Sequence, residues 1–150
     1  MLVFILGFLS CMIFYTLGSG KEIPRAFGLI ENSEAPGDWV SKDNIHVYSD
    51  KIVIDVERAS LSSYADSGSM KPVLDKDSNG IRIIPKNSEE INVGDIISFE
   101  KNNELIVHRV IEKGKDNLGA WFITKGDSNS IDDGKIRFSQ IRYVTIGVLY

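Results

Sequence analysis

The chain of 150 residues has a single cysteine, two histidines, four prolines and no Lys, Arg, Asp or Glu in its first twenty positions. The cysteine, Cys11, lies inside that uncharged stretch. Disulfide frameworks, thiolate metal sites and cysteine nucleophiles are therefore excluded from the charged remainder of the chain. Covalent catalysis there must use oxygen. A concentrated basic face is also missing: 17 Lys and Arg stand against 21 Asp and Glu, for a net charge of −4. Phosphate binding needs clustered Lys and Arg, so nucleic acid is not an expected partner.

The residues that are present divide the chain in two. Met1 to Gly20 carry fourteen apolar side chains, and the charged residues all come later. Leu2 to Leu17 would run about 24 Å as a helix, and both ends extend it towards the roughly 30 Å of a bilayer's hydrocarbon. A cleaved signal peptide needs a basic stretch ahead of the apolar run, and no Lys or Arg precedes Lys21. Leu17-Gly18-Ser19-Gly20 offers a cleavage site, so a cleaved signal peptide stands as the rival to an uncleaved anchor. The expected organisation is a transmembrane anchor at 1–20, a linker at 21–44 holding Pro24 and Pro36, and one β-domain at 45–150. Lys21 and Arg25 weakly favour a cytoplasmic position for the domain beyond the anchor.

From Ile45 onward the pattern is one of short strands. Ile45-His46-Val47-Tyr48 and Lys51 to Val56 predict a hairpin across Ser49-Asp50. Leu61 to Tyr64 predict a single helical turn, and Ser67-Gly68-Ser69-Met70-Lys71-Pro72 a shaped loop. Ile81 to Ile84 form a strand closed by Pro85. Val93 to Phe99 and Glu104 to Ile111 pair across Lys101-Asn102-Asn103 as a second hairpin. Trp121 to Thr124 and Tyr143 to Tyr150 complete six or seven strands with almost no helical period. The fold class is mainly β: short antiparallel strands behind an N-terminal transmembrane helix.

Without cysteine, a nucleophile must be a Ser or Thr with a base in reach. His46, in an alternating strand, reads as a solvated surface histidine. His108 closes the apolar run Leu105-Ile106-Val107 and sits at the border of the core. Ser67-Gly68-Ser69 offers hydroxyls in a glycine-eased bend, where the Ser69 N–H and the Ser67 hydroxyl can point at a developing oxyanion. The loop Lys125 to Gly134 holds three carboxylates, Asp127, Asp132 and Asp133, and a carboxylate beside a histidine fixes its tautomer. A calcium loop at Asp75 fails because its twelfth position is Lys86 and Pro85 blocks an exit helix. Neither metal nor cofactor is expected.

Taken in order, four elements resemble the boxes of the type I signal peptidase family. They are Ser67 to Pro72, Val93 to Phe99, Ile106-Val107-His108-Arg109-Val110, and Thr124 to Asn129 with Asp132-Asp133. With a histidine followed by Arg-Val at the base position, the chain is similar to the family's histidine branch, archaeal and endoplasmic-reticulum in type.

The resemblance implies a membrane-bound serine endopeptidase on the extracytoplasmic side that cleaves signal sequences of secretory precursors after small residues. Ser69 would be the nucleophile, His108 the base, Asp133 its orienting acid with Asp132 as rival, and Asp127 a supporting carboxylate. The Ser69 amide and Ser67 hydroxyl would form the oxyanion hole. Substrate would add as a β-strand, and membrane lipid would be met through the N-terminal helix. Two alternatives stand beside this: a specialised processing peptidase with the same chemistry, and a non-catalytic membrane-tethered β-module that binds exported peptides. Lys71 and the 49-position offset from Gly20, where the apolar segment ends, to Ser69 depart from the family's usual pattern. So does the long stretch from Pro72 to Gly94, which reads as an extra hairpin.

Overall fold

The structure, a computed structural model, describes residues 34–150. Its strands are β1 Ile45–Val47, β2 Ile52–Ile54, β3 Ser60–Ser63, β4 Asn79–Ile83, β5 Ile96–Lys101, β6 Glu104–Asp116, β7 Gly119–Lys125, β8 Lys135–Arg137 and β9 Ile141–Leu149. Single-turn 3₁₀ helices at Lys42–Asn44 and Phe138–Gln140 are the helical elements among the described residues. The mainly β, antiparallel architecture matches the expectation from sequence. None of the described helices is long and apolar enough to cross a membrane. The expected anchor at 1–20, and most of the expected linker, lie outside the described residues.

Strands β3 to β9 form one seven-stranded antiparallel sheet in the order β3-β4-β9-β5-β6-β7-β8. Central β5 reads Ile96-Ile97-Ser98-Phe99 with all four residues buried, which a strand covered on both faces requires. Ile97 and Phe99 enter a core with Ile91, Val110, Phe122, Ile136, Ile141 and Val144. Ile96 enters a second cluster with Met70 and Leu74. Asn102 and Asn103 join β5 to β6 with φ of 53° and 64°. Two successive left-handed residues make the turn that matches strand twist, and Asn tolerates it better than most residues.

Strands β1 and β2 pair as expected, Ile45 opposite Ile54 and Val47 opposite Ile52, but as a separate two-stranded sheet. Leu61 to Tyr64, expected as a helical turn, instead continues strand β3 through Ser63, and the strand's backbone pairs with β4. Four residues nucleate no stable helix alone, so the available ladder decides their conformation. The stretch from Pro72 to Gly94 does not form an extra hairpin. Its one strand, β4, is claimed on both sides by β3 and β9. Strand β8, which the sequence pattern does not predict, is three residues long and pairs with β7.

The described part of the expected linker, 34–44, is fastened to the domain. Asp95 is fully buried, accepting from the Gly37 N–H at 2.7 Å through Oδ1 and from the Asn92 N–H at 2.8 Å through Oδ2. Gly94 has φ +96°, and a Cβ there would stand 2.4 Å from the carbonyl oxygens of both Glu34 and Ala35. The segment can lie this close only over glycine. Trp39 packs against the main core.

Candidate active site

Side chains alternate along β6, so His108 and Arg109 leave on opposite faces of the sheet. Each finds a carboxylate from the loop after β7. His108 Nδ1 lies 2.7 Å from Asp133 Oδ2, with the two side chains 9% and 14% exposed. Arg109 forms a bidentate pair with Asp127, Nε to Oδ1 at 2.8 Å and Nη2 to Oδ2 at 2.7 Å. Its third bond, Nη1 to the Gly94 carbonyl at 2.8 Å, ties the loop before β5 to the same guanidinium. Asp132 does not meet the histidine. It is exposed, and its Oδ1 accepts the Gly134 N–H at 2.8 Å, closing its own turn.

Two further groups at this corner are not evident from sequence. Thr124 Oγ1 donates to Asp133 Oδ2 at 2.7 Å, and Lys101 Nζ donates to the Asp133 carbonyl at 2.5 Å. In sequence Thr124 is simply a strand residue. Its position one before the Lys-Gly-Asp turn, facing the same way as Phe122 in β7, is the available signal. Lys101 carries no signal, because it approaches from the end of another strand.

The serine loop sits against the same carboxylate loop. The Ser128 N–H donates to the Ser69 carbonyl at 2.9 Å and Ser128 Oγ to the Lys71 carbonyl at 2.8 Å. Gly126 allows this approach, since a Cβ on it would lie 2.7 Å from the Ser69 carbonyl oxygen. Ser67 Oγ and Ser69 Oγ share a hydrogen bond at 3.1 Å, and the Ser69 N–H points to Ser67 Oγ at 3.4 Å. Among the described residues no hydrogen bond joins Ser69 to His108. Lys71, a departure from the family's usual pattern, bonds Asp75 at 3.0 Å. The Asp75 carboxylate holds the lysine above its ordinary pKa, and Lys71 holds Asp75 below the usual carboxylate range. Lys71 thus stays an ammonium and offers no lone pair.

Ser67, Ser69 and His108 line one groove of about 510 Å³, together with Tyr64, Met70 and Ile106 among others. Among the described residues, its flanks are two unpaired strand edges. β3 pairs with β4 alone, and residues 104–108 of β6 pair with β5 alone because β7 joins only from Arg109. His46, by contrast, lies on the separate hairpin at 3.0 Å from Asp55, with both side chains exposed.

Fold and groove together define a class: a β-domain that gathers serine hydroxyls and a nearly buried histidine–carboxylate pair between two strand edges left unpaired among the described residues. Comparison with known proteins narrows it. The chain is 36% identical over 69 residues to a signal peptidase complex catalytic subunit of Scheffersomyces stipitis, covering 45% of this chain and 40% of that one. Over 80 residues it is 30% and 31% identical to signal peptidase complex catalytic subunits of Candida dubliniensis and Candida tropicalis. These matches cover 52% of this chain and 47% of each relative. The match therefore spans less than half the length of these curated relatives. No family model and no solved structure matches. Over about half its length the chain is thus similar to these catalytic subunits, a likeness that supports the type I signal peptidase family in its endoplasmic-reticulum branch.

Proposed function

We propose that the protein is a membrane-bound serine endopeptidase that removes N-terminal signal sequences from exported proteins. The observation that carries this reading is the His108–Asp133 pair, at 2.7 Å, on the groove that also holds Ser69. With Asp133 on Nδ1, the imidazole keeps its proton there and presents the Nε2 lone pair as a base. Ser69 Oγ attacks the scissile carbonyl carbon while its proton passes to His108. The imidazolium then gives that proton to the departing amine, leaving an acyl-enzyme ester that water hydrolyses by the same relay. The Ser69 N–H and the Ser67 hydroxyl stabilise the oxyanion. In the free protein both are engaged within the serine loop, so substrate binding has to redirect them. The mechanism needs no metal or cofactor.

The two strand edges left unpaired among the described residues support binding of the substrate as an added strand, in which backbone bonds supply affinity and pockets read alternate side chains. Attachment to the membrane through 1–20, in a single pass with the β-domain outside, belongs to the same proposal. It rests on the uncharged apolar run and runs against the charge of Lys21 and Arg25.

Membranes containing the full chain should cleave a precursor bearing a small-x-small site, and Ser69→Ala and His108→Ala should each abolish cleavage. Both variants cutting at the wild-type rate would sink the assignment. The non-catalytic module takes its support from the Ser69–Ser67 hydrogen bond standing where a Ser69–His108 bond would be. It expects binding of the precursor with no cleavage by any form of the protein.

A further inference from the structure

We infer that Thr124 is the positioning residue of the histidine–carboxylate pair, acting through Asp133 on the orientation of His108; this rests on the proposed function. The backbone of Asp133 is already pinned at both ends. Its N–H donates to the Thr124 carbonyl at 2.8 Å, and its carbonyl accepts from Lys101 Nζ. The remaining freedom is in the side-chain torsions, which decide whether a carboxylate oxygen faces the imidazole.

The Thr124 hydroxyl removes that freedom. It donates at 2.7 Å to Oδ2, the same oxygen that meets His108 Nδ1. Two donors converging on one oxygen fix the plane and reach of the carboxylate. The donor itself is rigid for two reasons. Thr124 lies within β7, paired opposite Val110 of β6, and is fully buried. Its branched Cβ also restricts χ1. A serine there would supply the hydroxyl with less constraint, and a valine would keep the shape and lose the donor. Partners of histidine-bound carboxylates and metals act in this way elsewhere, setting tautomer and ring orientation without touching substrate.

The test uses the full chain in membranes or micelles with Thr124→Val and Thr124→Ser. Two quantities are read: kcat and KM on a signal-bearing precursor, and the downfield proton resonance of His108 Nδ1–H. The valine variant should lower kcat by about tenfold, the smaller end of what outer-shell partners typically contribute, with KM within about twofold. Its resonance should shift or broaden through exchange. The serine variant should recover kcat to within about threefold and restore the resonance. An unchanged resonance in Thr124→Val overturns the inference whatever happens to kcat, because the hydroxyl would then not act through the pair. Equal losses in the serine and valine variants overturn it too, assigning the effect to the methyl group's packing. If the wild type cleaves nothing yet the resonance responds as described, the peptidase reading fails and the positioning role stands.

Discussion

The protein holds two histidine–aspartate pairs, and the contrast between them shows what a β-scaffold adds to a pair of side chains. His46 and Asp55 belong to the detached hairpin, 3.0 Å apart, with side chains 43% and 66% exposed. Water competes for both, and among the described residues no second donor reaches the Asp55 carboxylate. Such pairs contribute little, commonly about 0–1 kcal/mol. His108 and Asp133 stand 2.7 Å apart on the large sheet, nearly buried, with Thr124 on the carboxylate and Lys101 on its backbone. The first pair engages Nε2 and the second Nδ1, which leaves the far nitrogen of His108 as the one available to a serine. Identical chemistry is thus a surface contact in one region and a nearly buried, multiply anchored pair in the other.

The largest expected effect is on catalysis. His108→Ala or Asp133→Asn should lower kcat/KM by about 10³- to 10⁴-fold, as loss of one member of such a unit does elsewhere. His46→Ala and Asp55→Asn should leave it within about twofold. Comparable losses from both pairs, measured on one precursor, would erase the distinction drawn between them.

A second effect falls on stability. Arg109 and Asp127 are 12% and 17% exposed, and Arg109 also holds the Gly94 carbonyl. Arg109→Met strands a largely buried carboxylate, and urea unfolding should show a loss of about 3 kcal/mol or more. Arg142 and Glu100 form an exposed counterpart at 2.6 Å. Arg142→Met should move the urea midpoint far less than Arg109→Met does. Similar midpoints for the two variants would mean that burial does not govern these pairs.

The smallest effect is at the surface. Two bonds from Arg137 hold Asp116 down to about 2 from its ordinary value of 3.8. A depressed carboxylate contributes stability that is complete above its unfolded pKa and disappears as pH falls through its folded one. The contribution should therefore fade between about pH 4 and pH 2. A carboxyl carbon titration of Asp116 in the ordinary range, unaltered by Arg137→Met, would contradict it.

How much of this is legible in the sequence depends on range. The Asn102-Asn103 hairpin and the opposite exits of His108 and Arg109 follow from local rules, left-handed turn residues and two-residue alternation, and both can be read directly. Strand β3 cannot, because so short and mostly polar a segment has no conformation of its own until β4 offers a ladder. Asp95 looks like a strand-end residue. Its role becomes visible only with Gly37, 58 positions away in the chain, bonded to it. The choice between Asp132 and Asp133 likewise escapes the sequence, since adjacent loop carboxylates differ only in which way each one turns.

By itself the sequence determined the kinds of chemistry open to the protein: oxygen nucleophiles, one core-border histidine, a carboxylate-rich loop, and a β-domain behind an uncharged apolar run. It did so because composition and short-period patterning are properties of neighbours along the chain. Tertiary structure decided the partners. It set Asp133 on His108, Asp127 on Arg109, Thr124 and Lys101 behind Asp133, and Ser128 against the serine loop. Hydrogen bonds of about 3 Å or less join atoms from strands and loops distant in sequence, and only the register and twist of the sheet bring them within that distance.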